Sequence, residues 1–298
     1  MAALPQGDIG YRAAGPRSTS RPPVVFAHGL LTDSRLWEPV AGRLAAEGIR
    51  SYAPTLPLGA HRRAMNADAD LSPAGVARLL GDFIAALDLD RVTIVGNDTG
   101  TAICQLVLAG DAGAVGADGA AGAAGAAGRI GAAVLTNGDA FDAFPPRALA
   151  PLFFAGRHPA LVAGLLPGLR SDAIRTGRLG FGPLASGPLD AGLTRSWIDP
   201  LGERAIRRDL AAFARGVRSR VLLDAADRFG QFTGVVRVVW GDDDAYFPAE
   251  LGRRLSAAFP RGTLTTVAGG RTFLPLEHPD LVAAEIIAAT RDAVPHQR

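Results

Sequence analysis

The chain is predicted to fold as an α/β protein, a mostly parallel central sheet with helices on both faces and an inserted helical lid. Three observations predict it. Short apolar runs that read as buried strands alternate with stretches of helical periodicity, the pattern of a parallel sheet covered on both sides. One of those strands runs through a glycine-framed pentapeptide directly into a helix. A long stretch without strand signals, residues 139–228, then interrupts the alternation between two strands. With 298 residues the chain is long enough for a full core.

The elements read in order as follows. Residues 23–27 (Pro-Val-Val-Phe-Ala) form a short apolar strand that ends at His28-Gly29. Apolar residues at helical spacing fill 36–46, and Gly48 supplies the stop. A strand over 50–53 enters the proline-rich loop Pro54-Thr-Leu-Pro-Leu-Gly59. Ser72-Pro73 combines an N-cap with proline at the first helical position and opens a helix through 87. Residues 92–95 are a buried strand, Gly96 to Gly100 follows at once, and a helix runs over about 101–109. Strands over 130–136 and 235–240 come next, then helices at 249–259 and 280–292 around a last strand at 263–267. Residues 110–128 are almost all glycine and alanine. Their spacing superficially matches a dinucleotide fingerprint, but they precede a strand instead of following one, so they read as an enlarged connecting loop.

The domain division that follows is a core of residues 1–138 and 229–298 with a helical lid over 139–228. Helices are expected in the lid at 149–155, 160–165 and 205–213. A helical block between two parallel strands sits where ligands of such sheets bind, over the strand ends.

Composition excludes several function classes. All 31 basic residues are arginine, so there is no lysine for a Schiff base, a pyridoxal anchor or a phosphate-binding loop. A single cysteine, Cys104, excludes an intramolecular disulfide framework and a multi-cysteine zinc site, which makes a reducing cytoplasm the expected location. No cofactor and no metal are expected. The net charge of +2 gives no footprint for nucleic acid, and no apolar run reaches the roughly 20 residues of a membrane span. The first twelve residues lack the charged start and apolar stretch of a secretory leader. The expected partner is a small-molecule substrate, with the oligomeric state left open.

The chemistry centres on Gly96-Asn97-Asp98-Thr99-Gly100. Small flanking residues at this spacing permit the sharp strand-to-helix turn of a nucleophile elbow, which lifts the central side chain above the sheet. The amide of Thr99 then points from a helix N-terminus toward the reacting atom. Taken alone, an aspartate here also reads as an ordinary N-cap.

Three further segments accompany the elbow, and with them the chain resembles the α/β-hydrolase fold superfamily over essentially its whole length. His28-Gly29 resembles that family's oxyanion-loop motif, which implies Leu30 as the second amide donor. Trp240-Gly-Asp-Asp-Asp244-Ala-Tyr-Phe-Pro248 resembles the acid motif and implies Asp244 as the acid. Phe273-Leu-Pro-Leu-Glu-His-Pro279 resembles the segment that begins the last helix. An aspartate at the elbow is similar to the haloalkane-dehalogenase and epoxide-hydrolase branch, whose carboxylate attacks carbon to form an alkyl-enzyme ester. In that family the catalytic histidine stands seven positions before the last motif's proline, and here that position is Thr272. Threonine cannot activate water at neutral pH, because its hydroxyl lies far from the useful range of a general base.

Other histidines are weighed as substitutes. His28 belongs to the oxyanion-loop motif and reads as structural. His278 opens the last helix as a capping or exposed residue. His158 lies in the lid facing either pocket or solvent, and His296 is in the C-terminal tail. His61, in a loop that lines the sheet mouth in this fold, reads either as a pocket residue or as a satisfied loop residue. The branch's substrate marks are incomplete. The dehalogenase halide-binding positions are Leu30 and Thr99, whose side chains offer no N–H. Tyr11, Tyr52 and Tyr246 all lie outside the lid that supplies epoxide-hydrolase tyrosines. Asp139 follows the strand over 130–136, after which some members of the dehalogenase branch carry their acid; with Asp244 already in the acid position it reads as a loop, capping or lid-hinge carboxylate. Trp197 with Phe141, Phe144, Phe153 and Phe154 reads as lid packing more than as a substrate cage, with some of these rings facing the pocket.

The expected activity is that of a hydrolase-family enzyme on a small or medium apolar molecule, with Asp98 as nucleophile or general base and Asp244 either orienting whatever polar partner replaces histidine or remaining a structural carboxylate. Substrate or oxyanion contacts are expected from His28, Gly29, Leu30, His61, Thr99 and Thr272. The alternatives are a lyase, isomerase or cyclase, or a non-catalytic binding protein that has lost the histidine.

Overall fold

The computed structural model describes residues 1–110 and 128–293. Most of the glycine- and alanine-rich run and His296 lie outside the described residues. Nine strands are described: β1 (Ala2–Leu4), β2 (Gly7–Ile9), β3 (Tyr11–Ala14), β4 (Val24–Ala27), β5 (Ser51–Pro54), β6 (Val92–Asp98), β7 (Ile130–Gly138), β8 (Val235–Gly241) and β9 (Gly262–Val267). The first two form an antiparallel hairpin, and the other seven make one sheet in the order β3-β5-β4-β6-β7-β8-β9. Only the edge strand β3 runs antiparallel to its neighbour; every other pairing is parallel. The sequence reading found every parallel strand. None of β1 to β3 is predicted: each is short and includes exposed positions, whereas the equally short β4 is an unbroken buried apolar run.

Helices α1 (Glu38–Ala46), α2 (Pro73–Ala86) and α3 (Thr99–Leu108) follow β4, β5 and β6. The Ser72 hydroxyl accepts from the Gly75 N–H at 3.1 Å, so α2 starts where the N-cap and proline place it. Between β7 and β8 lie α4 (Ala150–Gly156), α5 (Pro159–Arg170), α6 (Asp172–Arg175), α7 (Ala191–Ile198), α8 (Arg204–Gly216) and α9 (Ser219–Ala226). Helices α4, α5 and α8 fall where helical spacing predicted them, with α5 continuing through Pro167. The intervening α6, α7 and α9 were not foreseen, being four to eight residues long. The chain ends with α10 (Ala249–Ala257), α11 (Leu274–Glu277) and α12 (Pro279–Asp292).

Strand β6 is buried at all seven positions because helices cover both faces of the sheet, which explains its unbroken Val-Thr-Ile-Val run. The strand is also longer than its apolar stretch, carrying Gly96, Asn97 and Asp98 to its very end. The helices between β7 and β8 are tied to the core by polar contacts. Trp197 Nε1 donates to Asp33 Oδ1 at 3.1 Å, and Asp209 Oδ2 accepts from the Met65 N–H at 2.8 Å. Trp197 also packs edge-on against Phe181 and Phe273, with ring centroids 5.3 and 5.8 Å away. Among the described residues no single helix is long and apolar enough to cross a membrane.

Candidate active site

Asp98 is the last residue of β6, with φ 55° and ψ −126°. A non-glycine residue at positive φ is costly, and here the surrounding packing enforces it. A Cβ on Gly100 would lie 2.0 Å from the Ala27 carbonyl oxygen, so only glycine lets α3 approach β4 this closely. Although Asp98 stands at the N-cap position of α3, its side chain makes no capping hydrogen bond. That removes the ordinary N-cap reading. The carboxyl turns toward the loop after β4, where the Leu30 N–H donates to its Oδ2 at 3.0 Å. Gly29 makes room for this approach, since a Cβ there would meet Asp98 Oδ2 at 2.1 Å.

Asp98 is 8% exposed. Burial pushes its pKa up to about 7, opposed by the Thr99 and Leu30 amides and reinforced by the charge of Asp244. It lines a cavity of about 400 Å³ together with Thr99, Asp139, Tyr246 and Arg178. The remaining walls are mostly apolar, among them Leu30, Leu149, Phe153, Phe181 and Ile198. Most of these come from the segment between β7 and β8, so the strand end and the helical insertion together enclose the space.

The second carboxylate, Asp244, follows β8 and is fully engaged. Its Oδ2 accepts from the Thr272 hydroxyl at 2.7 Å and from Asn137 Nδ2 at 3.0 Å. Its Oδ1 accepts from the N–H groups of Tyr246 and Phe247 at 2.9 and 3.0 Å. Burial raises its pKa against these four donors. Thr272, completely buried, thus takes up the contact to Asp244 from the position where the resemblance expects histidine. Asn97, inside the elbow, fixes Thr272 in turn by donating to its carbonyl at 2.6 Å.

The other predicted residues divide. Leu30 and Thr99 meet Asp98 at the cavity, and Gly29 touches it through its backbone. His28 supports the loop from beneath: its Nε2 accepts from the Leu56 N–H at 2.8 Å, and its Nδ1 faces the Gly29 carbonyl at 2.9 Å. Burial lowers its pKa to about 4, so it is neutral and structural. Thr272 contacts Asp244 and does not line the cavity. His61 lies elsewhere. Its Nε2 is 3.2 Å from Asp209 Oδ2 on α8, and it borders a different hollow beside Arg12, Arg35 and Arg62. Of its two open readings, the satisfied one is what its partners describe. His158 is exposed and stacks near Phe154, with ring centroids 5.4 Å apart, and His278 stands at the N-cap of α12.

Among the cavity residues that the sequence does not assign to the site are Asp139, Tyr246 and Phe181. Asp139 was assigned to a hinge or cap, yet it lines the cavity, because Gly138 is the β-bridge partner of Asp98 and the next residue along lands beside it. Tyr246 arrives from the acid loop and not from the helical insertion. Phe181 comes from a turn with no helical periodicity. The Asp139 signal was available: a carboxylate directly after a strand adjacent to the elbow strand shares its mouth.

The chain matches a family model described as the alpha/beta hydrolase family over residues 24–285, and it belongs to that family. Its fold is similar to that of a haloalkane dehalogenase from Bradyrhizobium elkani, with a TM-score of 0.75 at 17% identity, covering 98% of this chain and 97% of that one. An alpha/beta hydrolase fold protein from Burkholderia ambifaria gives a TM-score of 0.71 at 24% identity over 94% and 93% of the two chains. A thermophilic esterase from Thermogutta terrifontis gives 0.66 at 18% identity over 98% and 97%. Uncharacterized proteins of Mycobacterium bovis and Mycobacterium tuberculosis are 35% identical over 96 residues, 32% of this chain. The match spans only 27% of the length of those curated relatives.

Proposed function

We propose that this α/β-hydrolase-family protein is an enzyme that acts on a small or medium apolar molecule through Asp98 as nucleophile. The observation that carries the reading is the placement of one buried carboxylate, at a strained elbow, between two backbone N–H donors and an apolar cavity. A carboxylate attacking carbon forms an ester, and the Leu30 and Thr99 amides are placed to hold the ester oxygen as an oxyanion hole. The helices between β7 and β8 act as the lid, excluding water from the attacking oxygen. Asp244 holds Thr272, Asn137 and the acid loop in place and does not orient a base.

The engagement of Thr272 with Asp244 favours a second reading, in which no water attacks and Asp98 serves as general base in a lyase, isomerase or cyclase reaction. Incubating wild type and Asp98→Asn with a panel of apolar bromides, epoxides and esters, and analysing the recovered small molecules and the protein mass, separates the readings. Nucleophilic attack predicts an adduct or a water-added product from wild type alone. A rearranged product of unchanged composition, again from wild type alone, supports the general-base reading. Every compound returned unchanged, with no mass added to the protein, would contradict both.

A further inference from the structure

We propose that Asp139 is the catalytic acid of this site, carrying a proton to the oxygen that leaves when Asp98 attacks carbon; the proposal rests on Asp98 being the nucleophile. Asp139 is 1% exposed at the end of β7 and lines the same cavity as Asp98. The two carboxyls are neighbours by construction, since Gly138 pairs with Asp98 across the sheet and the Asp139 N–H donates to the Asp98 carbonyl at 3.4 Å. Thr99, the residue after the nucleophile, bridges them: its hydroxyl donates to Asp139 Oδ2 at 3.0 Å. The backbone carbonyl of Asp139 is fixed by Gln105 Nε2 at 2.7 Å, so with Oδ2 held by Thr99 only Oδ1 is left without a partner among the described residues.

The decisive atom is Asp139 Oδ1. It is buried and accepts no hydrogen bond from any described residue. An ionised carboxylate with a buried oxygen that no donor reaches is strongly disfavoured, whereas the neutral acid leaves no charge unsolvated and has an O–H to give. Burial and the neighbouring Asp98 charge push in the same direction, raising its pKa well above the usual carboxylate range. The other groups at the cavity are Tyr246, itself raised by burial and by the charge of Asp244, and Arg178, which is exposed at the rim. Two carboxyls with opposite protonation in one cavity form an acid and nucleophile pair.

The assignment fixes the substrate class. With an epoxide, an Asp98 oxygen attacks a ring carbon and the ring C–O bond breaks with its electron pair moving to oxygen. The Asp139 proton passes to that oxygen, leaving a β-hydroxy ester on Asp98 and an ionised Asp139. An alkyl bromide takes its electron pair away as bromide and needs no proton. The acid therefore assists oxygen leaving groups and is idle for halides.

Styrene oxide and benzyl bromide, as alkylating probes, separate these cases, with the adduct rate on the Asp98 peptide read by mass spectrometry. Asp139→Asn is expected to slow styrene oxide alkylation about 10²-fold or more while leaving benzyl bromide alkylation within about threefold. The bromide reaction also reports that the variant is folded with Asp98 in place. Asp139→Glu is expected to recover part of the epoxide rate. Wild type should lose epoxide reactivity at high pH, as Asp139 ionises, and Asp139→Asn should lack that alkaline limb. Equal slowing of both probes, or none, would overturn Asp139 as the acid while leaving the nucleophile intact. Loss of the epoxide reaction in Tyr246→Phe, with Asp139→Asn unaffected, would likewise overturn it in favour of the phenol. No adduct from either probe on wild type would overturn the nucleophile reading and this one with it.

Discussion

The two strand ends that hold carboxylates in this molecule treat them in opposite ways. At the end of β8, Asp244 receives four hydrogen bonds, two on each oxygen, from Thr272, Asn137, Tyr246 and Phe247. At the end of β6, Asp98 receives only backbone donors, the Leu30 and Thr99 amides, and otherwise faces a mostly apolar cavity. A carboxylate with both oxygens saturated is held as structure. One that faces a mostly apolar cavity has its pKa moved toward neutrality.

Disturbing the β6 end directly should have the largest effect. In Gly29→Ala the new methyl would lie 2.1 Å from Asp98 Oδ2 and 2.5 Å from its Cβ, so the carboxyl must move. Benzyl bromide alkylation, timed by intact mass, is expected to fall more than about 10²-fold, since misplacement of that size removes the attack geometry. Protonation acts next. The reactive form of Asp98 is ionised and its pKa is about 7, so alkylation should rise with pH and level off above it, falling roughly tenfold per unit below.

The same titration leaves a mark on stability. The folded pKa of Asp98 is raised above its unfolded value of 3.8, so the unfolded state binds fewer protons between the two. Its stability contribution is full below the unfolded value and is lost as pH rises toward about 7. Asp98→Asn should therefore melt higher than wild type at pH 8, by on the order of a few kcal/mol, and show less advantage at pH 4. Thermal melts at the two pH values decide the point, and an unchanged pH dependence would contradict the buried, raised carboxyl.

Changes at the β8 end should be milder for the chemistry. Thr272→Val removes one of four donors to Asp244 and is expected to cost about 1–2 kcal/mol in a denaturation curve. Alkylation of Asp98 should stay within about threefold, whereas a large loss would restore Asp244 and Thr272 to the reacting group. Smallest of all is the lid contact. Burial works to raise the pKa of Asp209, but His61, the Met65 N–H and Arg208 outweigh it and hold the carboxyl below its ordinary range. Asp209→Asn should lower stability by about 1–3 kcal/mol and leave alkylation by a small probe unchanged. A selective loss of alkylation would give His61 a role in the cavity.

Much of this was legible in the sequence, for reasons that can be named. The inner parallel strands β4, β6, β7 and β8 declared themselves because both faces are buried, leaving apolar runs such as Val92 to Val95. The elbow was legible because Gly96 and Gly100 are demanded by backbone contact with α3 and β4. Edge strand β3 and the hairpin were not, since these short segments carry exposed positions and lack the unbroken apolar run of the equally short β4. The place of Asp139 at the cavity was not legible, because it depends on a neighbour across the sheet, Asp98 opposite Gly138, and register is a long-range property. Tyr246 was passed over because only its distance from the lid in sequence was considered. His61 illustrates the converse: its loop position suggested the cavity, but Asp209 on α8, nearly 150 residues away, holds it elsewhere.

The central claim is that Asp98 is the reactive group of the molecule, and its direct test is trapping. Wild-type protein incubated with benzyl bromide at pH 8, digested and mapped, should carry one benzyl ester on the peptide containing Asp98, and Asp98→Asn should carry none there. Labelling of the same extent in both proteins, or labelling confined to other residues, would contradict it.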